Sequence, residues 1–338
     1  MAFVSAPGRI EIQEKRLASL SPKDVLIGVK ACSICGSDLH IFGGRHPSAP
    51  LPMAIGHELS GEVLRIGTGV SKVREGDRVV VEPVITCGRC YFCQKGEYHL
   101  CAQISFQYRK GQGGFAPYFV VEEDWVHPLP QGVSYEEGAL IEPLSVALHA
   151  VQKGHLQPGY TIAIFGAGAV GLLILLLTRL SGIEEIFVAD VQEFRLKKAE
   201  VLGASEVIHN RKEDAVEKIL GGTSQLGVDR AFEAVGLEST LVQSLQVLKK
   251  GGSAIVLGIF EEPQVRIPAN LFIQREISLL GSQGYCRDFQ TALNLVEKGL
   301  VNLRQLITHV LPLSSLQEGF ELLMDPGGEA IKVVIKMA

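Results

Sequence analysis

Six of the seven cysteines fall between positions 32 and 101, and four of them form the run Cys87-x2-Cys90-x2-Cys93-x7-Cys101. Four thiolates at this spacing can close a tetrahedral shell around zinc with no position left open, which is a structural site. An iron–sulfur cluster uses the same ligands. A zinc knuckle that grips nucleic acid is a further alternative, disfavoured by a net charge of −5. Upstream, residues 35–40 read Cys-Gly-Ser-Asp-Leu-His, and Gly56-His57-Glu58 places His57 22 residues after Cys35. A thiolate, an imidazole and a carboxylate are the ligand types of a catalytic zinc that keeps its fourth position open. Such a position takes a substrate hydroxyl and eases loss of its proton. Cys32, three residues before Cys35, has the spacing of a redox pair but reads as a small apolar residue in a strand.

A second chemistry follows at residues 161–171, Thr-Ile-Ala-Ile-Phe-Gly-Ala-Gly-Ala-Val-Gly. Gly166, Gly168 and Gly171 give G-x-G-x-x-G between an apolar strand and a helix entered through Val170. The exposed N–H groups at that helix start suit a pyrophosphate. Asp190 stands 19 residues beyond Gly171, at the end of the next apolar run, where an acid can accept both ribose hydroxyls of NAD. It would repel a 2′-phosphate, and Val191-Gln192 brings no cation, so the sequence predicts NAD rather than NADP. The alternative for Asp190 is a cap on the following helix.

These residues need two kinds of scaffold. From residue 24 to 130, short alternating β-branched runs at 24–30, 61–73, 77–81, 119–121 and 126–130 predict a mostly β domain, a small barrel or sandwich. From 146 onward, strands at 161–165, 185–189, 206–208, 228–232 and 254–258 alternate with helical patterns at 193–202 and 240–249, which predicts a doubly wound parallel sheet. Ligand lies at the carboxyl ends of such strands, so Val235-Gly236 and Gly258-Ile259 are expected to face the nicotinamide half.

At 338 residues, 46% apolar and 20% charged, the chain has material for two cores. Its acidic balance argues against nucleic acid or an anionic membrane as partner and leaves a small molecule. The charge-free stretch 161–178 is long enough to raise a membrane span, but its glycine turn breaks it. The first eleven residues show no basic segment followed by an apolar core, so a cytoplasmic protein without structural disulfides is expected.

In this order the motifs, with Gly113-Gly114-Phe115-Ala116 and Glu142-Pro143-Leu144-Ser145 between them, resemble the zinc-dependent medium-chain dehydrogenase/reductase family. The resemblance covers residues 24–338 and is strongest to the branch holding sorbitol-type polyol dehydrogenases and threonine dehydrogenase. It implies an α/β chain with a GroES-like catalytic domain, residues 1–145 and 283–338, and a Rossmann NAD-binding domain, residues 146–282. It further implies Cys35, His57 and Glu142 as catalytic zinc ligands, with Glu58 the carboxylate that contacts the metal directly or through water. The four-cysteine lobe becomes the structural zinc site. Asp38 orients His57, Ser37 takes the substrate proton, His40 relays it to solvent, and Arg195 flanks the adenosine. Residues 266–281 resemble the segment that pairs subunits, implying a homodimer or homotetramer.

The implied activity is zinc-dependent oxidation of a secondary alcohol by NAD, with a polyol, cyclitol or sugar-derived alcohol as substrate. Threonine or a butanediol is the alternative, and a non-catalytic binding protein is disfavoured because every ligand position is filled. Two departures bear on the substrate. Gly284 stands where sorbitol-type enzymes carry arginine before the tyrosine that Tyr285 resembles, and Ile41 follows His40 where an aromatic residue is usual. The pocket would then be lined from residues 42–46 or 105–108 instead.

Overall fold

The computed structural model describes residues 1–17, 19–107 and 111–337. It divides into two compact units, Met1–Ser145 with Cys286–Ala338, and Val146–Tyr285.

In the first unit, strand Asp24–Ser33 is the hub of a seven-stranded sheet. Glu58–Ile66 pairs antiparallel along its whole length. Its other edge takes Tyr118–Glu122 against Asp24–Gly28 and Lys332–Lys336 against Ala31–Ser33. Arg78–Val81 and Val126–Pro128 extend the sheet on one side, and Ile307–Pro312 pairs parallel with Lys332–Lys336 on the other. The run expected at 61–73 is shifted. The strand begins at Glu58 and ends at Ile66, because Gly67 N–H turns back to the Asp24 carbonyl. That shift puts Glu58 opposite Ser33 in the ladder.

Helix Gly36–Phe42 leaves the hub strand directly. Its buried residues are Asp38, Ile41 and Phe42, the i, i+3, i+4 stripe of one face. The Phe42 ring lies 5.0 Å from that of Phe320, which also meets Phe115 edge-on at 6.2 Å. This helix start is a capping box: the Cys35 sulfur faces the Asp38 N–H while the Asp38 carboxylate accepts from Cys35 N–H. Cys32 is fully buried in the same core, where burial raises its thiol pKa well above the ordinary value, as befits an apolar filler.

The second unit is a six-stranded sheet, every pair parallel, in the spatial order Glu206–His209, Glu185–Asp190, Thr161–Phe165, Val228–Glu233, Leu248–Val256, Ser278–Gly281. Counted along the chain this is 3-2-1-4-5-6, the doubly wound Rossmann order. The order reverses between Thr161–Phe165 and Val228–Glu233, whose interiors are buried almost without interruption. Helices Ala169–Leu180, Glu193–Val201, Ala215–Gly222 and Glu238–Gln246 follow the first four strands.

Two expectations are corrected here. The helix expected at 240–249 spans Glu238–Gln246, and the strand expected at 254–258 begins at Leu248 and ends at Val256. Val228 pairs with Leu248 but Arg230 with Ser253, so residues 249–252 bulge from the ladder. The Lys-Lys-Gly-Gly of that bulge has no strand alternation to read. Among the described residues no helix is long and apolar enough to cross a membrane.

Phe320→Ala should remove the ring on which the Gly36–Phe42 helix rests and cost about 3–5 kcal/mol. Urea unfolding followed by near-ultraviolet circular dichroism measures this, and a cost below about 1 kcal/mol would show that the helix is held otherwise.

Candidate functional site

The chain brings its predicted metal ligands together from two elements. Cys35 caps the helix, and His57-Glu58 opens the strand that pairs with the hub. The Cys35 sulfur, a His57 ring nitrogen and a Glu58 oxygen all lie within 4.8 Å of one another. Gly114 N–H donates to the Gly56 carbonyl at 2.8 Å, so the Gly113-Gly114-Phe115-Ala116 segment braces the turn that aims His57.

Asp38 sits beneath this group, 1% exposed. It accepts N–H groups of Cys35 at 3.1 Å and Gly56 at 3.2 Å, and its carboxylate lies 3.6 Å from His57 Nδ1. Burial works to raise the Asp38 pKa, but His57 and the two N–H donors outweigh it and hold the carboxyl below the ordinary range. Burial works to lower the His57 pKa, and the Asp38 and Cys35 charges push it well above the ordinary value. A bound cation at the other ring nitrogen would take the place of that proton.

Sequence reasoning missed the partners of Glu58. One carboxylate oxygen accepts the Ser33 hydroxyl and pairs with the Lys332 ammonium at 2.5 Å, while Lys332 also donates to the Ile34 carbonyl at 3.0 Å. Glu58 is fully buried, and its second oxygen, Oε1, has no hydrogen-bond partner among the described residues. An orphaned carboxylate oxygen beside a thiol and an imidazole fits a metal cation. Lys332 is 3% exposed; burial acts to lower its pKa, but Glu58 and then Cys35 raise it overall, so it stays charged. Glu142, at the start of helix Ile141–Lys153, lies outside the three-ligand group, yet it is 6% exposed and its charge reaches Lys332.

Ser37 and His40 occupy positions i and i+3 of helix Gly36–Phe42, on one flank beside the buried stripe, and both are partly exposed. Ile41 and Phe42, in contrast, belong to the core, so neither lines a pocket. Ser105 and Phe106 form a short strand against Val84–Ile85, and Tyr108 lies outside the described residues.

The cysteine lobe is a separate group, with ligand sulfurs of Cys87, Cys90, Cys93 and Cys101 within 4.8 Å of one another. A tetrahedron with Zn–S of about 2.3 Å places sulfurs about 3.8 Å apart. The Cys101 and Cys87 sulfurs are 3.6 Å apart, and those of Cys87 and Cys93 are 4.0 Å apart. N–H groups of Cys93 and Ala102 bring the Cys90 thiol down to about 6, whereas burial and then the Cys101 and Cys90 thiols push Cys93 up to about 12. The set cannot ionise fully by itself, and a divalent cation supplies what it lacks. All seven cysteines are free thiols.

In the second unit, Gly166 and Gly168 form the turn and Gly171 lies in helix Ala169–Leu180, as does Val170. A Cβ on Gly171 would stand 1.8 Å from the Gly166 carbonyl oxygen, so the helix can close on the strand only with glycine there. Asp190 ends its strand, 9% exposed, and accepts N–H groups of Ala167 at 2.6 Å and Gln192 at 2.8 Å. It thus ties its strand to the glycine turn, and each oxygen keeps lone pairs for a ribose. The Arg195 guanidinium lies about 4.0 Å from where a Cβ of Gly168 would be, over the same turn. Val235-Gly236 and Gly258-Ile259 come together at neighbouring strand ends, with a Cβ on Gly236 only 2.2 Å from the Ile259 carbonyl oxygen.

A family model for the alcohol dehydrogenase GroES-like domain matches residues 21–131, and one for zinc-binding dehydrogenase matches residues 169–298. The chain is 35% identical to sorbitol dehydrogenase of Bacillus subtilis, over 96% of its own length and 94% of that protein. It is 36% identical to D-arabitol-phosphate dehydrogenase of Enterococcus avium, over 92% and 89%. Among solved structures, 2R,3R-butanediol dehydrogenase from Bacillus subtilis superposes with a TM-score of 0.88 at 34% identity, covering 99% of this chain and 98% of that one. With its thiol, imidazole and carboxylate group, its cysteine lobe and its 3-2-1-4-5-6 sheet, the chain belongs to the zinc-binding alcohol dehydrogenase family.

Proposed function

We propose that this chain oxidises a secondary alcohol of the polyol, cyclitol or sugar-derived class with NAD, using a zinc held by Cys35, His57 and Glu58 or Glu142. The observation that carries this is Glu58 Oε1, buried without a partner beside Cys35 and His57. Bound zinc would supply a Lewis acid at the carbinol oxygen, and bound NAD would accept the hydride, two electrons with one proton. The chain's own residues do the rest. Asp38 fixes the His57 ring, so that its far nitrogen faces the metal position. Ser33 and Lys332 hold Glu58 by one oxygen and leave the other free to engage or release the metal. Ser37 takes the hydroxyl proton, and His40, one turn on along the same flank, passes it to solvent.

The first unit is then the catalytic domain and the second the cofactor domain. Gly166, Gly168, Val170 and Gly171 cradle the pyrophosphate, Asp190 and Arg195 the adenosine, and Val235, Gly236, Gly258 and Ile259 the nicotinamide half. Cys87, Cys90, Cys93 and Cys101 hold a structural zinc. Seven cysteines without a disulfide among them support a cytoplasmic protein. Strand Ser278–Gly281 ends the sheet with one side unpaired among the described residues, and its Leu279 is exposed, as is Ile273 in the preceding helix Asn270–Arg275, which supports a homodimer or homotetramer built on that edge.

A short vicinal diol is the second reading. Ile41 is in the core and Gly284 has no side chain, so two groups that would grip the hydroxyls of a long polyol are missing. Reduced-nicotinamide absorbance across linear polyols, cyclitols, aldonates, butanediol and threonine decides between them. A hit confined to butanediol or threonine would overturn the polyol assignment, and silence with full zinc and NAD occupancy would overturn catalysis.

Cys35→Ser should abolish turnover on the active substrate and lower bound zinc to the structural ion, while leaving NAD affinity unchanged by calorimetry. Asp190→Ala should weaken NAD binding about 10- to 100-fold, the loss of hydrogen bonds to a charged group, and narrow the preference over NADP. A wild type that already favours NADP would refute the role given to this acid. Stripping zinc with a chelator should open residues 84–102 to protease before the rest of the chain, and protection that persists in the metal-free protein would deny the lobe its structural ion.

A further inference from the structure

One buried carboxylate has no part in the scheme above. Glu233 ends strand Val228–Glu233, beside Thr161–Phe165, where the sheet order reverses. Three stretches of main chain crowd over it. Ala234 N–H donates to the Phe165 carbonyl at 2.9 Å, and Leu257 and Gly258 N–H groups both donate to the Glu233 carbonyl, at 2.9 and 3.1 Å. A Cβ on Gly258 would come within 2.2 Å of Gly236 N and 2.5 Å of Glu233 Oε2.

The side chain of Glu233 is 0% exposed. Its Oε1 accepts the N–H groups of Val235 at 3.0 Å and Gly236 at 2.9 Å and the Thr240 hydroxyl at 2.7 Å. Its Oε2 faces Gly258 with no hydrogen-bond partner among the described residues. Burial raises the Glu233 pKa, and the donors around it offset this only in part. A carboxyl group in so dry a place, with one oxygen unsatisfied, is costly to keep. What it holds in return is the relative placement of the 235–236 and 258–259 turns, gripping the first through Oε1 and abutting the second through Oε2.

We propose that Glu233 is a positioning residue for the nicotinamide half of the cofactor, setting the spacing between Val235-Gly236 and Gly258-Ile259. This rests on the NAD reading above. The pyrophosphate turn is held by a different acid, Asp190 through Ala167 N–H, so the two halves of the dinucleotide are braced separately. A defect at Glu233 should therefore be felt by the nicotinamide and not by the adenosine.

The test is calorimetric titration of NADH and of ADP-ribose, which lacks the nicotinamide, into zinc-loaded wild type, Glu233→Val, Glu233→Gln and Thr240→Val. Glu233→Val should weaken NADH about tenfold or more, the scale of losing one or two hydrogen bonds, and leave ADP-ribose binding unchanged. Glu233→Gln, which keeps a carbonyl oxygen for the three donors, should retain most of the affinity. Thr240→Val removes one donor and should give a smaller loss in the same direction, which decides the matter if the valine variant does not fold. KM for NAD should rise in step. Equal losses for both ligands, or undiminished NADH binding in a folded variant, would overturn the proposal. A wild type that binds neither ligand would instead overturn the cofactor reading on which it stands.

Discussion

The metal centre is organised by the problem of keeping negative charge out of water. Asp38 and Glu58 are both buried beside the position that Cys35 and His57 share, and Glu142 is buried within reach of Lys332. An ionised carboxylate moved to a dry interior costs several kcal/mol even after relaxation, unless opposite charge and hydrogen bonds meet it. Two N–H donors and His57 meet Asp38. Glu58 is met on one side by Ser33 and Lys332 and on the other by no hydrogen-bond donor among the described residues. Two of the hub strand's three partners, Glu58–Ile66 and Lys332–Lys336, pair with it in a register that lets Ser33, Glu58 and Lys332 converge.

The second unit solves a different problem, that of presenting main-chain groups to a ligand without leaving them unpaired. At the reversal of strand order the turns are packed so tightly that glycine is needed where they touch, as at Gly171 against Gly166. Carboxylates at the ends of two strands take up the surplus N–H groups, Asp190 on one side and Glu233 on the other. Both are products of parallel-sheet geometry, in which every strand delivers its carboxyl end to the same edge.

Much of this was legible in the sequence because the chemistry is local. The cysteine run, Gly56-His57-Glu58 and the glycine turn each sit within a few residues, and spacing suffices to recognise them. The alternation of strands and helices gave the fold class for the same reason. What escaped is non-local or unpatterned. Lys332 donates to a carbonyl 298 residues away, and in Lys332-Val333-Val334-Ile335-Lys336 it reads as one of two surface lysines closing a strand, one of which is in fact buried. Glu233 follows an apolar run with no motif around it, and the bulge at 249–252 hid the start of its neighbouring strand. The roles expected of Glu142 and Ser37 rest on the family resemblance alone, because neither sits in a pattern that spacing can read.

The placing of strand Lys332–Lys336 between the hub strand and Ile307–Pro312 has a consequence for how the molecule comes into being. On a ribosome the chain emerges from its N-terminus, so Cys35 and His57 appear first, and the whole of Val146–Tyr285 is made before the strand that carries Lys332. The nucleotide-binding unit can finish folding as soon as its own residues are out. The metal-binding sheet has to wait with its hub edge half open, and its buried cation is among the last parts to arrive. Until then the nascent protein carries exposed thiols and an acid without its cation, so the order of synthesis leaves the seven-stranded sheet, not the six-stranded parallel one, open the longer.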